Sequence, residues 1–282
     1  MQKYNEKTKF FVPDNVPLEE AIKRTTHMAI MAHHDDIEIA AYDGILKCFK
    51  NPEQWFFGVV VTNGSGSSRG GKYKNYTDAE MAQVRILEQQ KAAVIGEYGL
   101  QGFINATSAE TKDKDNQEVV LEMYKMLMDA QPKVLYTHNL ADKHDTHIGV
   151  VTKVIKALHM MPKELRPKAV YGCEVWRDLD WLNDDEKVAF NVSGNPHLAN
   201  ALIEIFDSQI DGAKRYDLAT AGRRYANATY AVAHAVDAAD SVIYGMDLTP
   251  LIEDDNLDVA QFISDAIDRF KKDVQNKITR MF

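Results

Sequence analysis

The chain has 282 residues, of which 45% are hydrophobic and 27% charged, with a formal net charge of −9. This composition is ordinary for a globular protein, and the acidic balance without a long Lys/Arg block argues against nucleic acids and anionic membranes as partners. No run approaches the roughly 18 apolar residues of a membrane-spanning helix. Two distant cysteines exclude a disulfide scaffold, and the N-terminus has no apolar signal segment, so we expect a cytoplasmic protein.

The first half of the chain alternates strand-like and helix-like segments. Strands are predicted for HMAIMA, WFFGVVVT, GFINAT, KVLYTH and KAVYGCEVW. Helices are predicted between them, including one helix over IEIAAYDGILKCFK and one that starts at a Thr77–Glu80 capping box and stops at Gly96. This order predicts an α/β fold with a Rossmann-like, mostly parallel sheet flanked by helices.

The second half of the chain has a different pattern. Residues 195–239 are predicted to be largely helical, with Gly212 and Gly222 as interruptions. SVIYGMDL is predicted to be an edge strand, and the basic run RFKKDVQNKITR is predicted to be the polar face of a terminal helix. We expect this helical half to complete a single domain over residues 1–282.

Four titratable residues follow the first predicted strand: His33, His34, Asp35 and Asp36. In open parallel sheets, ligands bind beyond the carboxyl ends of the strands, so the position itself suits a site. Imidazole and carboxylate groups are ligands for zinc and similar metals. The alternative is that Asp35 or Asp36 caps the following helix and that the histidines are surface groups.

A second polar cluster, in YTHNLADKHDTHIGVV, lies between a later strand and its helix. It contains His138, Asp142, His144 and His147, and the last two are three residues apart, a spacing that can place both on one side of a helical turn. Because both clusters follow parallel strands, we expect them at the same end of the sheet. The alternative for His144 and His147 is a pair of exposed loop residues.

Together the two clusters could build a catalytic metal site. His33, Asp36 and one of the later histidines would supply the three protein ligands that such a site needs. Asp35 could then take a proton from water as general base, and His144 could stabilise an oxyanion. The sequence therefore predicts metal-assisted hydrolysis at this end of the sheet.

The second strand is followed by the glycine-rich loop TNGSGSSRGG. It lacks the Gly-Lys-Ser/Thr ending of a phosphate-binding P-loop. Its one charged residue, Arg69, could bind substrate through its planar set of donors, or the loop could be a simple surface loop. In the next helix, Arg85 and Glu88 are expected to form an ion pair on the helix surface or between elements rather than part of a site.

These motifs resemble those of the PIG-L/LmbE-like N-deacetylases. AHHDDIEIAAYDG is similar to the family's AHPDD signature, VVVTNGSGSSRGG to its glycine-rich loop, RILEQQKAAVIG to its Arg-x-x-Glu helix, and PKVLYTHNLADKHDTH to its strand followed by HPDH. The resemblance extends over about residues 26–251 and is looser in the later regions. It implies zinc-dependent removal of an acetyl group from an N-acetylglucosamine-type conjugate.

The resemblance also implies roles for individual residues. His33, Asp36 and His147 would hold Zn²⁺ or another divalent metal, and Asp35 would be the general acid/base. Protonated His144 would stabilise the oxyanion. Arg69 matches the family's substrate-binding arginine. The implied partner is a small amino-sugar substrate, and we expect neither nucleic-acid binding nor membrane insertion, with a homo-oligomer possible.

The chain departs from the family motifs at two important places. His34 replaces a proline, so it either faces away from the metal or marks a different substrate. Asp145 and Thr146 replace the family's Pro-Asp, whose carboxylate orients the oxyanion-stabilising histidine; our hypothesis is that Asp145 or Asp142 substitutes for it. The alternative functions are a metal hydrolase for a different amide or ester, and a non-catalytic sugar-binding protein.

Overall fold

The computed structural model describes all 282 residues and contains one eight-stranded sheet. The strands are β1 Lys9–Phe11, β2 His27–Met31, β3 Phe56–Thr62, β4 Leu100–Ala106, β5 Val134–His138, β6 Ala169–Cys173, β7 Lys187–Asn191 and β8 Val242–Asp247. The helices are α1 Leu18–Lys23, α2 Asp36–Ala40, α3 Tyr42–Cys48, α4 Asp78–Ile95, α5 Ser108–Lys112, α6 Gln117–Ala130, α7 Asp145–His159, α8 Pro196–Glu204, α9 Asp207–Ile210, α10 Tyr216–Thr229, α11 Pro250–Glu253 and α12 Val259–Met281. None of these helices combines the length and hydropathy needed to cross a membrane.

The sheet has the strand order β1-β4-β3-β2-β5-β6-β8-β7. Its five central strands, β4 to β6 in this order, are parallel, whereas β1 is antiparallel to β4 and β8 is antiparallel to both β6 and β7. The predicted Rossmann-like, mostly parallel α/β sheet is therefore confirmed. The carboxyl ends of the parallel strands all lie at one edge, where ligands bind in such sheets.

The central strands are apolar on both faces because helices cover both sides of the sheet. All residues of β2 and β3 are buried. Successive side chains of a strand point to opposite faces, so Met28 and Ile30 enter one hydrophobic core while Ala29 and Met31 enter the other. Because both faces of these strands are buried in the cores, the strands are held firmly and fix the positions of the polar residues that follow them.

Three sequence predictions for the elements were wrong. The helix expected after β2 is two helices, since the backbone of Ala41 departs from helical geometry between α2 and α3. SVIYGMDL forms β8, which is not an edge strand, because the unpredicted β7 pairs along its outer side. Gly222 does not interrupt a helix and lies inside α10.

The capping box predicted for α4 is present. Thr77 accepts a hydrogen bond from the backbone N–H of Glu80, and the Glu80 carboxylate accepts one from the backbone N–H of Thr77. We expect Thr77→Ala to lower the free energy of unfolding by about 1 kcal/mol. The backbone N–H of Glu80 loses its acceptor, and the Glu80 carboxylate is held less firmly at the backbone N–H of residue 77. Urea unfolding measures this loss, and Thr77→Ser, which keeps the acceptor, is the control. Equal destabilisation by both variants would contradict the capping role.

Candidate active site

A polar cavity of about 310 Å³ lies at the carboxyl edge of the sheet, where segments after β2, β3, β4, β5 and β6 meet helices from the second half of the chain. Only three of its 18 lining residues are hydrophobic. The lining residues are His33, Asp35, Asp36, Thr62, Asn63, Gly64, Gly66, Ser67, Ser68, Arg85, Ser108, Lys112, His144, Thr146, Val175, Trp176, Gln209 and Tyr216. This lining suits a polar, hydroxyl-rich molecule better than an apolar one.

Three possible ligand atoms converge beside this cavity: two belong to the lining residues His33 and Asp36, and the third to the completely buried His147. His33 Nδ1 lies 3.1 Å from both Asp36 Oδ2 and His147 Nε2, and His147 Nε2 lies 3.3 Å from Asp36 Oδ2. Ligand atoms bound tetrahedrally to zinc at about 2.0–2.1 Å lie about 3.3–3.4 Å apart. The three atoms therefore have the spacing and the chemistry of a zinc ligand set.

The protonation of these groups fits the same interpretation. His147 Nδ1 lies 2.7 Å from Asp142 Oδ2, so Nδ1 keeps its proton when the ring is neutral, and the Nε2 lone pair of the neutral ring faces His33 and Asp36. Burial lowers the pKa of His147, but the charges of Asp36 and Asp142 outweigh it and raise this pKa to about 9. Burial likewise opposes ionisation of Asp36, yet the His147 and His33 rings hold its pKa well below the usual range. The cluster thus favours a positive charge beside Asp36.

Two overlapping triplets of possible ligands share His147: one with His33 and His144, the other with Asp36 and His138. His138 is completely buried, and its ring stacks on that of His147 with centroids 3.8 Å apart. However, His138 Nε2 already accepts the backbone N–H of Ala32 at 2.8 Å. Because this lone pair is occupied, His138 is better suited to pack against the His147 ring than to bind a metal.

Asp35 directly precedes α2 with a left-handed backbone, φ 91°, and lines the cavity beside the metal-ligand candidates. Its Oδ2 accepts a hydrogen bond from Arg85 Nη2 at 2.9 Å, and its backbone N–H donates to Gln89 Oε1 at 3.3 Å. Burial raises the pKa of the Asp35 carboxyl against the opposing pull of the Arg85 guanidinium. A carboxylate with a raised pKa is suited to accept a proton and to return it near neutral pH.

Arg85 is only 2% exposed and lines the cavity, whereas the sequence favoured an ion pair with Glu88 outside the site. Besides Asp35, it donates to the backbone carbonyl of His34 and contacts Glu88 Oε2 at 3.4 Å. Glu88 in turn accepts the backbone N–H and the hydroxyl of Ser208, each at 2.7 Å. Because Ser208 lies in α9, 120 residues away, the spacing of Arg85 and Glu88 alone could not reveal this network.

His144 lines the same cavity at the N-terminus of α7, with its ring centroid 4.9 Å from that of His33. Its Nδ1 accepts the backbone N–H of Thr146 at 3.2 Å, which places the ring proton on Nε2. Burial, together with His33 and His147, lowers the pKa of His144. The lowered pKa favours the neutral ring, whose Nε2 offers an N–H donor, and the imidazolium implied by the resemblance stays a prediction.

The hypothesis that Asp142 or Asp145 orients His144 is wrong in this structure. Asp142 is buried and bonded to His147, and it also accepts the backbone N–H of Val175 at 3.3 Å. Asp145 is exposed and makes no hydrogen bond to either ring. The carboxylate thus supports the ligand candidate, and the backbone of α7 orients His144.

Asp142→Asn is expected to weaken metal binding by about 10- to 100-fold, because the carboxylate fixes the tautomer of a ligating histidine. Competition against a chromogenic zinc chelator measures the affinity. Asp145→Asn changes a neighbouring charge without touching His147 and serves as the control. Equal metal affinities of the wild type and Asp142→Asn would remove Asp142 from this role.

His34 faces away from the cavity and is completely buried. Its ring stacks on Phe103 with centroids 6.0 Å apart, and neither ring nitrogen has a hydrogen-bond partner. Burial and the nearby Arg85 charge hold the pKa of His34 well below its usual range. His34 therefore fills space behind the site, as the proline of the related motif would.

Arg69, the predicted substrate-binding residue, does not line the cavity. Its guanidinium donates to the backbone carbonyl of Ser65 at 2.9 Å and pairs with Asp78 at the start of α4. These contacts anchor the glycine-rich loop, whose Gly64, Gly66, Ser67 and Ser68 form one wall of the cavity.

Comparison with solved structures supports the fold. The chain is similar to the conserved protein TT1542 from Thermus thermophilus (15% identity, 79% of this chain and 94% of that chain, TM-score 0.63). It is also similar to N,N'-diacetylchitobiose deacetylase from Pyrococcus horikoshii (14%, 82% and 86%, TM-score 0.64). A third similar structure is GalB, the 4-carboxy-2-hydroxymuconate hydratase of Pseudomonas putida (17%, 79% and 95%, TM-score 0.56). At these identities the likeness establishes the fold alone.

Comparison by sequence identifies one family model. No curated protein matches the chain significantly. Residues 28–158 match the family model PIG-L, described as GlcNAc-PI de-N-acetylase. This segment runs from β2 to the end of α7 and supplies the ligand candidates as well as Asp35 and Arg85. The resemblance of the motifs to the PIG-L family is thereby confirmed over residues 28–158, a little under half of the chain.

Proposed function

We propose that this protein is a zinc-dependent N-deacetylase that hydrolyses the acetamide of an N-acetylglucosamine-type conjugate. One observation carries the proposal: three possible metal-ligand atoms converge within 3.3 Å of one another beside a polar cavity that is lined by His33, Asp36 and Asp35. The PIG-L match and the fold shared with a chitobiose deacetylase support the same activity.

His33, Asp36 and His147 are the residues that would hold the metal. When bound there, a divalent metal would polarise the acetyl carbonyl and make water more acidic. Two imidazole nitrogens and one carboxylate oxygen form a ligand set typical of catalytic zinc, in which a fourth position stays open.

Asp35 moves the proton in the proposed reaction. It accepts a proton from the attacking water, and the tetrahedral carbon then forms from the acetyl carbonyl. The same carboxyl returns the proton to the sugar nitrogen as the carbon–nitrogen bond breaks, so acetate and a free amine leave. Arg85 is a positioning residue, because its bond to Oδ2 fixes the carboxylate next to the ligand cluster.

His144 stabilises the charge that develops on the carbonyl oxygen. Its Nδ1 is occupied by the backbone N–H of Thr146, so Nε2–H is the donor available to the oxyanion. A preorganised donor of this kind contributes about 10²- to 10³-fold in kcat.

Acetate release tests the proposed function. The purified, metal-loaded protein is incubated with N-acetylglucosamine conjugates, with O-acetyl esters and with acetyl-lysine peptides. We expect acetate and a new amine from the amino-sugar conjugates only. Turnover of the esters or peptides instead would assign another metal hydrolase, and tight sugar binding without any turnover would assign a non-catalytic sugar-binding protein.

A further inference from the structure

The long helix α12 is only partly packed against the rest of the protein. Its two buried residues, Ile263 and Ala266, belong to the hydrophobic core, and Arg269 pairs with Glu186. No residue after Ala266 is buried, so residues 267–282 add about four turns that lie outside the core. Because an isolated helix of about 12–15 residues is marginally stable in water, this segment would gain stability from a contact that covers its apolar side.

Apolar side chains form a stripe along this exposed segment. The stripe consists of Ile267, Phe270, Val274, Ile278 and Met281. Successive members are three or four residues apart, so they lie on one side of the helix. Phe270 is half-buried and the other four are exposed; Ile278 and Met281 are 55% and 78% exposed. A contiguous apolar stripe that faces water marks an interaction surface.

The spacing of the stripe is symmetric about Val274. Phe270 and Ile278 each lie four residues from Val274, and Ile267 and Met281 each lie three residues farther out. In an antiparallel pair of identical helices, a two-fold axis sets each residue against the one at the same distance on the other side of the axis. With the axis at Val274, Phe270 would meet the partner's Ile278. In the same pair, Ile267 would meet the partner's Met281, so the stripe is complementary to itself.

The charges beside the stripe favour the same antiparallel arrangement. Asp273 and Lys277 lie four residues apart on one flank of the stripe and form an ion pair within the helix. They are placed almost symmetrically about Val274, so an antiparallel second copy presents the same two residues in reverse order. Each Asp273 then lies beside the partner's Lys277, whereas a parallel pair would set like charges against each other.

A lipid surface is the other occupant that an amphipathic helix can take, because basic helices bind to anionic membranes. The segment carries four cationic residues, Lys271, Lys272, Lys277 and Arg280. However, Asp273 lies among them and pairs with Lys277. A lipid surface also requires no symmetry of the stripe, whereas a two-fold pair of helices does. The spacing therefore favours a second copy of the chain.

We propose that residues 267–282 form an antiparallel, two-fold symmetric contact with the same segment of a second copy, so that the protein is a homodimer. Each stripe covers the other and removes its apolar side chains from water. The inference is independent of the proposed deacetylase function. It rests on residues outside the segment 28–158 that matches the family model.

Sedimentation velocity of the full chain tests the contact. We expect the 31.9 kDa chain to sediment as a dimer. Val274→Glu should raise the dissociation constant of the dimer by about 100-fold, because it sets two carboxylates against each other at the axis. Since Val274 is exposed, the variant should keep its fold, which circular dichroism checks. Asn276→Glu adds the same charge on the opposite side of α12 and should leave the dimer intact.

Two results of this experiment would overturn the dimer. The first is a monomeric wild type, and the second is a dimer that Val274→Glu does not weaken. Co-sedimentation of wild type with anionic vesicles identifies the other occupant. A monomeric wild type whose vesicle binding is lost in Val274→Glu would assign the stripe to a lipid surface.

Disulfide cross-linking tests the orientation of the two helices. The native Cys48 and Cys173 are buried, so they contribute little background. Phe270→Cys protein is mixed with Ile278→Cys protein under reducing conditions and then oxidised. We expect the mixture to cross-link about tenfold faster than either variant alone, because only unlike positions come within disulfide distance. Faster cross-linking of each variant with itself would show a parallel pair and contradict the proposal.

Discussion

Asp35→Asn is expected to lower kcat for acetate release by about 10²- to 10⁴-fold, the usual contribution of a positioned general acid/base. Asparagine has nearly the same shape as aspartate and can still accept a hydrogen bond from Arg85, but it cannot take a proton from water. The metal ligands are left intact, so the variant should bind zinc with the stoichiometry of the wild type. Steady-state acetate release and metal analysis of the same samples measure the two properties.

Two controls make the Asp35 result specific. Asp268→Asn removes an exposed carboxylate of α12, far along the chain from the cavity residues, and should leave kcat unchanged. In Asp35→Asn the buried Arg85 loses one charged partner and retains the other, Glu88. Thermal unfolding of the variant checks that it is still folded. A folded, zinc-bound Asp35→Asn protein with wild-type kcat would exclude Asp35 as the acid/base.

His147→Ala is expected to abolish measurable zinc binding and acetate release together. His147 is shared by both triplets of possible ligands, and its Nε2 approaches both His33 and Asp36. Removing it leaves two ligands where a catalytic zinc site needs three. Metal content after dialysis against trace zinc, with acetate release on the same sample, measures the effect.

His197→Ala is the matched control for this variant, because His197 is exposed on α8 and belongs to neither triplet of possible ligands. It should keep full zinc content and full activity. Stoichiometric zinc in folded His147→Ala would show that another set of residues, such as Asp36 with His138, holds the metal.

The general position of the site could be predicted from the sequence. Continuous apolar runs such as β2 and β3 predict buried parallel strands, and polar residues that follow them must emerge at the carboxyl edge. The structure brings His33, Asp36 and His147 together at that edge, as the two sequence clusters predicted. Which of these residues binds metal remains a prediction that the experiments above test.

Details that depend on distant contacts could not be predicted. The i, i+3 spacing of Arg85 and Glu88 is typical of a surface ion pair, and only the docking of α9 through Ser208 buries them against Asp35. The bond between Asp142 and His147 depends on the path of the loop after β5. The strand β7 could not be predicted because it is short and mostly half-exposed, which leaves no continuous apolar run.

The most direct test of the central claim is metal removal and restoration with acetate release as the readout. The wild-type protein is stripped with a chelator, assayed on an N-acetylglucosamine conjugate, and assayed again after one equivalent of Zn²⁺ is added. We predict that acetate release is lost on stripping and restored at about one zinc per chain, and that Asp35→Asn binds this zinc without recovering activity. Full acetate release by the folded, metal-free protein would contradict the proposed metal-dependent deacetylase.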